Sequence, residues 1–400
     1  MKNISLVCLF IFITGAFACD DGFTSSFSNH NGRTTITVND ETGRLRLETR
    51  GEITFTDDEK EIKTISDDGY VKFKKNGNSI SARPGTGDEI VYVVNDGSPR
   101  TVLSENEKLI LARAIKEMIN VGFDAKRREE RLYSNGGANA VLDAVHNLRS
   151  DYVKRLYLEY LISGSSVTQN EITDVVRRIG NELNSDYDKS TLLQKIPVSY
   201  LQDEQTASAY LDAVSTINSD YEKDNCLKLI VDQPLTPDQY NYALTAIGNI
   251  NSDYDKANVL KQLISHGVPS ENNTNNFLIV TNNIGSDYEK ANVLKALLVQ
   301  GSPVGTSFTK FLDVTDGINS DYEKTEVYKK MATARITSED DWVVLLKATE
   351  KINDDYEKSD AMITIAKYMP KSDRLKSAYM LSAKSITADY NYGQAIKALN

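Results

Sequence analysis

The sequence is poor in the residues that most often carry chemistry. Its 400 residues include three cysteines, three histidines and one tryptophan. Three cysteines make no disulfide framework: Cys8 sits in an N-terminal apolar run, Cys19 follows that run, and Cys226 is left alone. His30, His146 and His266 stand far apart, and no H-E-x-x-H pair or other metal-ligand spacing joins them. No G-x-S-x-G elbow, P-loop or dinucleotide-binding glycine fingerprint occurs. Asp253-x-Asp255 lacks the glycine and closing glutamate of a calcium loop. Basic residues are outnumbered, 46 against 57 acidic, for a net charge of −11. That balance argues against nucleic acid as a partner, which needs clustered Lys and Arg. The expectation is a chain that is not an enzyme and holds no cofactor and no metal.

What is present suits a folded protein. The apolar fraction is 40% and the charged fraction 26%, and the length implies two domains or a repeat array. Met1-Lys2 and the apolar run Ile4 to Phe12 lead to Ala16-Phe17-Ala18-Cys19. A basic tip, a short apolar core and small residues before a cleavage point describe a signal peptide over residues 1–18. The run is too short to span a bilayer. The position of Cys19 resembles a bacterial lipobox, which implies a lipid on Cys19 and a cell-envelope location. Simple cleavage after Ala18, giving a soluble periplasmic or secreted protein, is the other reading.

Residues 19–32, rich in Ser and Asn, read as a flexible tether. From 33 to 103 short alternating runs such as Thr35-Ile36-Thr37-Val38 and Ile90-Val91-Tyr92-Val93 are separated by turn clusters such as Asn76-Gly77-Asn78. That pattern predicts a small β domain of some seven strands. Residues 104–135 read as a helical N-terminal cap, opened by the capping box Ser104/Glu107.

From 136 to 400 one phrase recurs, Ser-Asp-Tyr-acid-Lys. Its tyrosines are Tyr152, Tyr187, Tyr221, Tyr254, Tyr288, Tyr322, Tyr356 and Tyr390, spaced 33 to 35 residues apart. A fixed period of this size marks a stacked array. Ser286 is placed to cap a helix, and Glu289 three residues on is placed to close a capping box, as at Ser219/Glu222 and Ser320/Glu323. A second helix precedes each motif, for example from Thr236-Pro237-Asp238-Gln239. The expected fold is α+β, mainly α: an α-solenoid of eight helical hairpins behind a small all-β unit.

The run GEITFTDDEKEIKTISDDGYVKF (residues 51–73) and the later DYVKRLYLEYL (residues 151–161) resemble the extracytoplasmic part of certain bacterial beta-lactam-sensing-type membrane metallopeptidases. There a β unit is followed by SDYxK helical repeats. The resemblance implies an extracytoplasmic module; the peptidase's zinc motif is absent.

Two readings of the tyrosine compete. In the preferred one each ring wedges between the two helices of its hairpin. In the other the pairs Asp151/Tyr152, Asp186/Tyr187, Asp220/Tyr221, Asp253/Tyr254, Asp287/Tyr288, Asp321/Tyr322, Asp355/Tyr356 and Asp389/Tyr390 form a binding row. The motif lysines, Lys154 to Lys358, are read as balancing the adjacent acids, and Cys226 as a small buried hydrophobe in the slot of Val259 and Val293. The functional expectation is a lipid-anchored interaction scaffold for an envelope protein or peptide, touching the membrane only through its anchor. A ligand sensor for a cell-wall fragment or other small molecule is the alternative, and an unrecognised enzyme ranks last.

Overall fold

The computed structural model describes residues 16–19, 23–30, 32–164, 167–267, 270–301, 306–334 and 336–399. Most of the expected signal segment lies outside them. The chain divides into two compact units, one ending at Tyr157 and one running from Leu158.

The first unit begins with strands β1 (Ala16–Cys19), β2 (Phe23–His30), β3 (Arg33–Asp40), β4 (Gly43–Arg50), β5 (Ile53–Phe55), β6 (Ile62–Ile65), β7 (Tyr70–Lys75), β8 (Asn78–Pro84) and β9 (Ile90–Val94). Seven form one sheet in the order β1-β2-β3-β4-β7-β8-β9, and β5 pairs with β6. Neighbours in both sheets are antiparallel. Strand β2 and the end of β1 occupy the stretch expected as a tether; alternation there is weak because Ser and Asn replace the apolar members. The period of two is clear further on. Val38 faces Leu45, Leu47 faces Phe73, Phe73 faces Ile80 and Ile80 faces Val94. All of these are buried, so one face of the sheet is apolar. Asn76-Gly77 makes the tight turn between β7 and β8 with φ of 49° and 80°, the left-handed values that Asn and Gly adopt most readily.

Helix α1 (Glu105–Asn120) starts at the predicted capping box on Ser104 and packs against β8. Helix α2 (Ala125–His146) runs past the expected boundary at residue 135, but Gly136-Gly137 break its helical backbone, with φ of +64° at Gly137.

The remainder is helical, making 17 α-helices among the described residues. Eight start at the motif: α3 (Asp151–Gly164), α5 (Asp186–Leu193), α7 (Asp220–Val231), α9 (Asp253–Leu263), α11 (Asp287–Gln300), α13 (Asp321–Thr333), α15 (Asp355–Tyr368) and α17 (Asp389–Ala398). Between them lie α4 (Gln169–Glu182), α6 (Glu204–Ser215), α8 (Pro237–Gly248), α10 (Glu271–Asn282), α12 (Thr306–Asp316), α14 (Glu339–Thr349) and α16 (Asp373–Ala383).

In the second unit each motif helix from α5 onward packs on the next motif helix, and each intervening helix on the next intervening helix. The apolar faces meet inside: Leu227, Ile230, Leu260, Leu294 and Leu297 are buried, each contributing on the order of 1.5–3 kcal/mol of transfer free energy. The Ile or Leu two places before each cap position, from Leu148 to Ile386, is buried in every case. Helix α5 is short because Pro197 cannot continue it, and a 3-10 turn follows at Val198–Gln202. Helices α4 and α6 approach so closely that a Cβ on Gly180 would stand 2.9 Å from Ala213 Cα.

Candidate functional site

The repeated motif separates into jobs, residue by residue. The serine is an N-cap: the hydroxyls of Ser185, Ser219, Ser252, Ser286 and Ser320 each accept from the backbone N–H three residues on. Asp354 does the same in the seventh repeat, and Ala388 offers no side-chain cap in the eighth. Each cap satisfies one of the helix's orphan amides.

The aspartate binds the following repeat. Asp220 accepts from the backbone N–H of Asn251 at 3.0 Å and of Ser252 at 2.8 Å. Asp253 does so from Gly285 at 3.0 Å and Ser286 at 2.8 Å. Asp186 takes the amides of Asn218 and Ser219, Asp287 that of Ser320, Asp321 those of Asn353 and Asp354, and Asp355 those of Thr387 and Ala388. Capping never required an aspartate at this position; clamping the next hairpin turn does.

That clamp corrects one expectation. The reciprocal half of the capping box is not formed at Ser219/Glu222, Ser286/Glu289 or Ser320/Glu323. The serine amide that the glutamate would bind is already held by the aspartate of the preceding repeat. Glu289 and Glu323 are left with a buried Oε2 that has no hydrogen-bond partner.

The motif lysines also differ from the expected balancing of neighbouring acids. Lys189, Lys223, Lys324 and Lys358 are buried, and each Nζ donates to a backbone carbonyl just past the end of the next intervening helix: Thr216, Asn249, Lys351 and Ser385. A cation there meets unpaired carbonyls and the negative end of the helix dipole.

The tyrosine is the exception. Burial was the expectation, and the structure overturns it. Tyr152 is half exposed and stacks under Arg155, and Tyr187, Tyr221, Tyr254, Tyr288, Tyr322, Tyr356 and Tyr390 are 59% to 75% exposed. The hydroxyls of these seven bond to no other described residue. At the second helical position the ring stays largely in water, so no ring wedges between helices. Other tyrosines, outside the motif, fill that role. Tyr210 and Tyr379, each eleven residues before a motif tyrosine, are fully buried and donate to the carbonyls of Cys226 and Ala395. Their position on the buried stripe of the intervening helix was the available signal.

Cys226 is buried, and burial pushes its thiol up to about 11. Cys19 closes β1. Asp151 and Asp389 open the first and last motif helices. Among the described residues no group of three or more His, Cys, Asp or Glu converges to hold a metal ion, and no helix is long and apolar enough to cross a membrane.

No family model matches the chain and no curated protein matches it. Among solved structures, one described as "Computational Design of Self-Assembling Cyclic Protein Homooligomers" aligns over 71% of this chain and 96% of its own, with 13% identity and a TM-score of 0.15. At that score the likeness carries no argument about fold or function.

Proposed function

We propose that the chain is a non-catalytic scaffold of the bacterial cell envelope, exported and lipid-anchored through Cys19, whose repeats stack as an α-solenoid of eight helical hairpins. In this reading the motif tyrosines of the second unit, from Tyr187 to Tyr390, form the surface that binds a protein or peptide.

One observation carries it. Serine, aspartate and lysine of the motif each make hydrogen bonds that hold the array together, whereas the tyrosine ring is exposed. A large aromatic side chain in water contributes little to folding, and its repetition needs another reason. Helices in direct contact lie about 8–10 Å apart, beyond the 4.5–7 Å at which rings pair. Each ring is therefore free to take its own group of a partner. An extended peptide rises roughly 3.3 Å per residue, so about three of its residues would pass each repeat.

The test compares the chain with a Tyr254→Ala, Tyr288→Ala, Tyr322→Ala variant as bait in envelope extracts. A protein captured by the first and lost from the equally folded variant supports the reading. Equal capture by both, or by neither, overturns it. For the anchor, Cys19→Ser should move the protein from the membrane fraction to the soluble one; unchanged fractionation rejects lipidation at that residue.

A further inference from the structure

A cavity of about 380 Å³ opens in the first unit between α1, the end of α2 and the turn that joins β5 to β6. It is of the size that takes small ligands, about 300–1,000 Å³, and it is independent of the tyrosine row.

Its wall is built from one face of α1. Ala112, Arg113, Lys116, Ile119 and Asn120 recur at helical spacing along it. Ile119 and Leu148 are buried and make the floor apolar. Asn120 is 8% exposed, lines the cavity, and its amide bonds to no other described residue. An amide in that state offers both a donor and an acceptor to whatever enters.

The charges at the mouth are unequal. Asp58 and Glu59 lie on the rim, but both are engaged. Asp58 accepts from the Thr56 hydroxyl and pairs with Lys60. Glu59 is held by Arg128 and Arg131. Lys60 and Arg128 are thereby used as well. Arg113 and Lys116 remain, exposed and with no ion pair or hydrogen bond to any other described residue. They stand three residues apart on α1, next to each other on one face.

We propose that this cavity binds a small organic carboxylate with an apolar body. The body lies on Ile119 and Leu148, the carboxylate meets Arg113 and Lys116, and the Asn120 amide donates to one of its oxygens. A neutral ligand leaves the two cations unanswered; a cationic one is repelled by them.

Hexanoate is the probe, with hexanol and hexylamine as its neutral and cationic counterparts, titrated into the full chain by calorimetry and by amide chemical shifts. The expected result is saturable one-to-one binding of hexanoate, with shifts confined to α1, the end of α2 and residues 58–60. Hexanol and hexylamine should bind about tenfold or more weakly. Arg113→Glu is exposed and should leave the melting temperature unchanged while weakening hexanoate at least tenfold. Asn120→Leu removes the amide donor and should weaken hexanoate at least tenfold. No saturable binding of hexanoate, shifts elsewhere on the chain, equal binding of the three probes, or unchanged affinity in Arg113→Glu would each overturn the proposal.

Discussion

Removing one clamp aspartate should reveal whether a neighbouring acid stands ready to replace it. Asp220 and Asp253 hold the next repeat with the same geometry, two backbone amides at 3.0 and 2.8 Å. Both carboxylates are half-buried. Hydrogen bonds to a charged group contribute about 1.5–3 kcal/mol each when shielded and less when water competes. Asp220→Ala is therefore expected to cost about 2 kcal/mol. The consequences then diverge. Past Asp220 the cap is Ser252 with Asp255 three residues on, and that acid is too short to reach back. Past Asp253 the cap is Ser286 with Glu289, whose Oε2 is buried and unpartnered beside it. Once Asp253 is gone, Glu289 closes the capping box on the freed Ser286 amide and recovers about 1 kcal/mol. Asp253→Ala should cost correspondingly less than Asp220→Ala. Urea unfolding of both variants, with hydrogen exchange at the amides of residues 251, 252, 285 and 286, measures this. Equal costs, or a larger cost at Asp253, would refute the competition between clamp and box.

Other consequences are equally direct. Tyr210→Ala removes a fully buried ring and should cost about 3–5 kcal/mol, as large core truncations do, while Tyr210→Phe loses only the bond to the Cys226 carbonyl, about 1 kcal/mol; equal costs in a denaturant titration would contradict this placement. Asp355 has its carboxyl held below 3.8 by the Thr387 hydroxyl and then by the amides of Ala388 and Thr387. A depressed carboxyl stabilises the fold above the ordinary value and loses that contribution as pH falls through the folded one. The junction of the last two repeats should therefore loosen below pH 3.8, and exchange at residues 387 and 388 should show less acid sensitivity in Asp355→Asn. Cys226, buried with its thiol raised to about 11, should resist a thiol reagent at pH 8 until urea unfolds the chain; prompt labelling of the native protein would show the packing to be wrong.

The helices were legible because their signals are local. Period, caps, the proline at Pro237 and the apolar stripe all act within one turn or one helix, and Ser286 and Ile284 are where those signals put them. The roles of Asp253, Lys223 and Tyr288 were not legible, since each depends on what the adjacent repeat brings near. A carboxylate at the start of a helix suits the dipole whether or not an amide of the next hairpin lies within reach. The tyrosine was misread for a related reason: burial is the usual fate of a recurrent aromatic ring, and only the packing of α9, α11 and α13 shows which side of the helix start stays in water. In the first unit, β2 was hidden because Ser25, Ser26 and Ser28 erase the alternation that marks β3 and β4.

The account rests on the motif tyrosine being free of the fold, and one melting experiment on the Tyr254→Ala, Tyr288→Ala, Tyr322→Ala variant addresses that most directly. Exposed rings should cost no more than about 0.5 kcal/mol each, so the variant should unfold close to the parent chain and show unchanged hydrogen exchange through α9, α11 and α13. A loss of about 3 kcal/mol or more per site, the scale of core truncation, with exchange accelerated in those helices, would place the rings inside the array and leave no tyrosine surface to bind anything.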